Sequence, residues 1–174
     1  MLCYAEAKAS ELEALIGYTF ADKCLAAEAV QMEAPHIAVI MDNNFLGLNN
    51  NKRLSVLGDA VLAKELSSAW YKARDSHNRV LSQAQSTALR NETLANTVLA
   101  DRGYDIGIDK IIITAEGTPA VSPKMVATTL EAIIGAVHQD GGDEAAHKLM
   151  EHLGFFNHTL LMVTSQPPHT PFPT

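Results

Sequence analysis

Asn51-Lys52-Arg53-Leu54-Ser55-Val56-Leu57-Gly58-Asp59-Ala60-Val61-Leu62 is the stretch from which the rest of the chain can be read. Asparagines at 43, 44, 49, 50 and 51 crowd its approach. Asparagine side chains compete for backbone hydrogen bonds and favour turns and helix caps. Beyond them the spacing predicts a helix to about Arg74, with Leu54, Leu57, Val61, Leu62, Leu66 and Trp70 on one broad apolar face. Gly58 and Ala60 are small residues inside this helix, and Ala132, Gly135 and Ala136 sit in the same way in a second apolar stretch. Glycine inside a helix costs about 1 kcal/mol relative to alanine. Such residues are expected where two helices cross at close range.

Working outward, the pattern is helical almost throughout. Ser10-Glu11-Leu12-Glu13 reads as a capping box opening a helix that ends at Gly17. A second helix is expected from Asp22, with Leu25, Ala26, Ala29 and Val30 inward, stopping before Pro35. The run His36–Met41 fits either a short helix or an extended segment. Further helices are expected over roughly 79–89, and from an Asn91 cap to a terminating Gly103. Ile111–Thr114 is the one β-like run. Ser122-Pro123 restarts a helix, with serine as cap and proline at the first helical position, where its missing N–H costs nothing. That helix is expected to end at Gly141-Gly142, and Asp143 to cap a last one ending at Gly154. The expected organisation is a short N-terminal extension (1–9), one all-α domain (10–158), and a proline-rich, disordered tail (159–174).

A chain of 174 residues with 47% apolar content can build one real core. No apolar run approaches the roughly 20 residues that span a bilayer, so no membrane partner is expected. The N-terminus has neither a secretory pattern nor an Arg-rich transit pattern. With Cys3 and Cys24 the only cysteines, an intracellular protein with reduced thiols is expected, its compartment undetermined among cytoplasm, nucleus and mitochondrion. The net charge of −7 argues against a protein that simply coats phosphates. The seven histidines form no recognised metal-binding spacing; His147 and His152, for example, are not at the i, i+4 positions of a zinc helix.

Four stretches, in order, resemble the ribonuclease III family over about residues 12–154: Leu12–Lys23, Asn51–Leu62, Asn78–Ala95 and Met125–Gly142. The resemblance implies that family's all-α endonuclease-domain fold as a two-fold homodimer. Family members cut double-stranded RNA with magnesium, or manganese, held by clustered acids. Magnesium prefers oxygen ligands, keeps several waters, and typically takes one or two carboxylates plus substrate phosphate.

Carried over position by position, the resemblance leaves two acids, Asp59 and Glu131, as the catalytic and metal-binding candidates. Lys52 and Ser55 stand where the signature has glutamates, Asn78 where the third segment has one, and Thr128 where the fourth has aspartate. Gln85 replaces an arginine. The resemblance places Val56, Leu57 and Ala60 at a dimer interface, with Val56 a smaller plug than the family's phenylalanine. It also implies an accessory RNA-binding protein or domain, because the family's usual double-stranded RNA-binding module does not follow residue 154.

The leading expectation is therefore an RNA-binding, RNA-processing domain with a degenerate metal site and weakened or absent double-strand cleavage. One alternative is an active magnesium-dependent endoribonuclease using Asp59 and Glu131. The other is a structural pseudo-nuclease in a ribonucleoprotein, of the kind found in mitochondrial ribosomes.

Overall fold

The computed structural model describes residues 5–32, 38–41 and 44–162. The order of elements is α1 (Ala5–Ile16), α2 (Lys23–Val30), β1 (Ala38–Met41), β2 (Asn44–Gly47), α3 (Lys52–Lys72), α4 (Gln83–Leu94), α5 (Asn96–Ile106) and α6 (Pro123–His152), with a 3-10 turn at Ile108–Lys110. The expected all-α fold is what forms, with one addition. β1 and β2 make a two-stranded antiparallel pair in the register Ala38–Gly47 to Met41–Asn44. The stretch that fitted two readings is extended over 38–41. Cys3, His36 and residues 163–174 of the proline-rich tail lie outside the described residues.

α6 is the centre of the domain. Val126, Ala127, Thr129, Leu130, Ala132, Ile133, Ile134, Gly135, Ala136 and Val137 are all buried, so this stretch is enclosed nearly all round. α2, α3 and α5 pack against it. A helix buried on all sides must be apolar on all sides, which explains why its sequence shows little amphipathic stripe. Ser122 caps it by accepting from the Met125 N–H, with Pro123 in the first turn, as the sequence predicts. Gly142 stands at φ 74° and ψ −168°, outside the helical region, so two helical segments meet there across a kink, at the break the sequence predicts. Asp143 pairs with Lys64 and His138 beside that kink.

Three boundaries differ from the sequence reading. α1 begins at Ala5, and Ser10 lies inside it with its hydroxyl donating to the Glu6 carbonyl. Glu13 turns outward from the helix to accept from the Phe20 N–H and to pair with Lys23. α4 starts at Gln83 behind a capping box of Ser82 and Gln85, whose side chain accepts from the Ser82 N–H. It runs through Asn91, which therefore caps nothing. α5 ends at Gly107, in the left-handed region at φ 92°, one turn after the expected Gly103. Gly103 serves packing: a Cβ there would lie 2.3 Å from Val126 Cγ1.

Ile111–Thr114 contributes a single bridge, Gln31 to Ile113, and no full strand. No helix of the described residues is long and apolar enough to cross a membrane.

Candidate functional site

α3 and α6 cross backbone to backbone. A Cβ built on Gly58 would fall 1.8 Å from the Glu131 carbonyl oxygen, and one on Gly135 would fall 2.2 Å from that of Leu54. Only glycine permits this approach at either position. The small residues singled out in the sequence are thus the crossing point itself. Because Asp59 follows Gly58, and Glu131 supplies the carbonyl that Gly58 touches, the crossing brings the two carboxylates together.

Their proximity shows in the acid–base chemistry. The Glu131 carboxyl is half-buried, and burial together with the nearby Asp59 charge pushes it from 4.5 up to about 7. Burial is the larger cause, since a desolvated carboxylate favours its neutral form; repulsion from Asp59 adds to it. Asp59 itself is exposed.

The remaining predicted positions do different work. Ser55 is buried and donates its hydroxyl proton to the Lys52 carbonyl within α3. Asn78 is exposed and holds φ 59°, in a turn where Asp75 accepts from the His77 and Arg79 N–H groups. Asparagine tolerates that left-handed conformation, so the turn accounts for the residue type at this position. Thr128 lines a cleft of about 410 Å³ together with Met32, Lys52, Ser122, Lys124 and Met125.

Sequence reasoning named Lys52 and Thr128 but missed Lys124 as their companion. The signal was present: Lys124 stands one helical turn before Thr128. Val56 is 73% exposed, Ala60 is exposed and Leu57 half-buried, which leaves this side of α3 open.

Two buried ties fix the start of α3. Asn51 is fully buried; its side-chain amide donates to the Ala29 carbonyl at 3.1 Å and the Thr129 hydroxyl at 3.2 Å. Its backbone N–H donates to the Gln31 carbonyl at 2.8 Å. One residue thereby joins α2, α3 and α6. At the other end of the domain, Asp140 accepts from the Tyr18 hydroxyl at 2.8 Å and from the N–H groups of Ala21 and Asp22 at 2.9 Å each. These bonds hold the Asp140 carboxyl below its usual range against a burial effect in the other direction.

A helical domain built on a glycine crossing, with one acid on each of the two helices, is an architecture that solved structures share. Two solved structures of the nuclease domain of ribonuclease III from Campylobacter jejuni share the fold, each with a TM-score of 0.65. One is 24% identical and covers 82% of this chain and 93% of its own; that study concerns flexibility in the region involved in its dimer formation. The other is 22% identical and covers 91% and 97%.

The chain belongs to the Ribonuclease-III-like family, whose sequence model matches residues 42–156. Among full-length relatives, it is 33% identical to Ribonuclease 3 of Thermobifida fusca over 111 residues, covering 62% of this chain and 45% of that protein. It is 26% identical to Ribonuclease 3 of Halalkalibacterium halodurans over 145 residues, covering 81% and 52%. It is 33% identical to Ribonuclease 3 of Pseudomonas fluorescens over 171 residues, covering 92% and 66%. The chain thus spans about half the length of several of the relatives it matches.

Proposed function

We propose that this chain is an RNA-engaging ribonuclease III-type domain whose metal site is degenerate, with double-strand cleavage weakened or absent. The observation that carries this reading is the Asp59–Glu131 pair at the glycine crossing. Lysine, serine and threonine stand where the resemblance calls for further acids. Among the described residues no group of three or more His, Cys, Asp and Glu side chains is placed to hold a metal ion.

The pair fits one divalent cation and not two. A half-buried carboxyl pushed up to about 7 beside a second carboxylate is short of positive charge. One magnesium ion, taking one or two carboxylates and completing its shell with water and phosphate, answers that shortage. Asp59 and Glu131 would hold it. When bound, it would lower the pKa of a water and stabilise the leaving oxygen of a phosphodiester. The backbone crossing holds the two acids in register, and cation binding at Glu131 would be coupled to loss of its proton. A pair of acids able to hold one cation favours the second reading, an active magnesium-dependent endoribonuclease.

The domain would act as a homodimer through Val56, Leu57 and Ala60, since this face of α3 is left open. Its RNA affinity would be supplemented by an accessory RNA-binding protein or domain. The test is cleavage of labelled single- and double-stranded RNA, with magnesium or manganese, by the wild type and by Asp59→Ala and Glu131→Ala. RNA binding with little or no cleavage supports the degenerate-site reading. Metal-dependent cleavage abolished by both substitutions supports the enzyme. Cleavage that survives both refutes the site. Absence of any RNA binding refutes the reading as a whole.

A further inference from the structure

The described residues lining the cleft beyond the acid pair carry positive charge where the family resemblance implies acids. Lys52 opens α3, with Ser55 and Asp59 following on the same face at i+3 and i+7. Lys124 lies in the first turn of α6, with Thr128 and Glu131 following at i+4 and i+7. Each helix therefore carries a stripe that begins with an ammonium and ends with a carboxylate. The two ends of a stripe are separated by about 10 Å, seven residues at 1.5 Å each. The lysine ends meet in the cleft of about 410 Å³, where Ser122 and Thr128 supply hydroxyls and Met32 and Met125 the apolar wall. None of the described residues lining it is acidic.

We propose that this cleft seats a phosphate group through the ammoniums of Lys52 and Lys124 and the hydroxyls of Thr128 and Ser122. Two cationic and two hydroxyl donors around a small concave space match a tetrahedral anion, which accepts on several oxygens at once. The first turn of α6 adds its partial positive charge to the same place. Rim methionines pack against whatever carries the phosphate without competing for its oxygens.

The inference rests on the RNA-engaging reading for its preferred source, a phosphodiester of an RNA strand; a free phosphate or pyrophosphate has the same recognised chemistry. The functional consequence is specific. Lysines fixed in the protein anchor the strand where a bound cation would otherwise have to do so. Anchoring then survives removal of divalent ions, while the acid pair lies about two helical turns further on.

The test uses fluorescence anisotropy of a fluorescein-labelled RNA hairpin, with EDTA present, across a salt series. The proteins are wild type, Lys52→Ala/Lys124→Ala, and the control Lys8→Ala/Lys148→Ala. The control makes the same charge change at two lysines paired with Glu11 and Glu144, the first half-buried and the second exposed. Thermal unfolding verifies that each protein is folded.

Wild-type binding in EDTA is expected. The cleft variant should lose about tenfold or more in affinity, and its salt slope should be smaller by about one, since both lysines serve a single phosphate. The control should keep the wild-type slope. Equal affinity and slope in the cleft variant overturn the phosphate seat while leaving RNA engagement intact.

If the wild type binds no RNA, the broader reading fails, and a pyrophosphate titration followed by amide NMR shifts decides the seat. Shifts at Lys52, Lys124 and Thr128 that vanish in the variant retain the cleft as a site for a free phosphate. No shift there overturns it.

Discussion

Replacing Gly58 by alanine sets two effects of opposite sign against each other. In a helix interior with open surroundings, glycine to alanine stabilises by about 1 kcal/mol, because alanine loses less backbone freedom on folding. Here the new methyl would sit 1.8 Å from the Glu131 carbonyl oxygen and 2.7 Å from its carbonyl carbon. Ordinary carbon–oxygen contacts lie near 3.3 Å, so α3 and α6 must part by roughly 1.5 Å. The obstacle is backbone, so no rotamer change relieves it.

Overpacking in cores typically costs about 1–3 kcal/mol and sometimes more. A forced separation of the two most intimately packed helices belongs at or beyond the upper end. Net of the propensity gain, Gly58→Ala should lose about 3 kcal/mol, or roughly 6–12 °C in Tm for a domain of this size. The assay is urea and thermal unfolding of the variant beside Gly47→Ala, where a Cβ meets nothing within 4 Å. The latter should stay within about 0.5 kcal/mol of wild type. A Gly58→Ala protein as stable as the wild type, or more so, would refute the close crossing and with it the placement of Asp59 against Glu131.

Asn51→Ala removes a buried amide that ties α2 to α6 and should cost about 2–3 kcal/mol in urea unfolding; a loss below about 0.5 kcal/mol contradicts that tie. For Glu131, the folded pKa of about 7 lies above the ordinary 4.5, so the folded state binds more protons between those values. In chelator, wild-type stability should therefore carry a component that is present below 4.5 and lost as pH rises through 7. Glu131→Gln should abolish that component, and an unchanged pH profile of the urea midpoint would contradict the raised pKa. Val56→Asp places a charge on a 73% exposed apolar position of α3 and should convert a dimer to monomers in light scattering. A variant that remains dimeric moves the interface elsewhere.

Local signals in the sequence were legible where the chemistry is local. Asp22 and Ser122 cap their helices because a side-chain oxygen reaches a free N–H two or three residues on. Ser10 misled because the same capping pattern also occurs inside a helix, where its hydroxyl donates back to Glu6. Asn91 and Gly103 misled in a related way. One continues α4, and the other is glycine because Val126 presses against it, a reason that is invisible in the neighbouring residues. The site was half legible. Asp59 and Glu131 followed from family resemblance, and their proximity from the small residues around them. The Ser82–Gln85 capping box gives a local reason for glutamine where the family carries arginine.

By itself, the sequence determined an all-α domain with long apolar helices, a crossing of small residues, and two surviving acids. Periodicity and steric smallness are written residue by residue. Only the tertiary structure decided what those residues meet. Tyr18 finds Asp140 from the far end of the chain, and Asn51 finds Ala29 and Thr129. Lys52 and Lys124 reach one cleft because the helices carrying them pack together. Hydrogen bonds and charge pairs act over a few ångströms in space, and the fold alone sets which distant positions come within that reach.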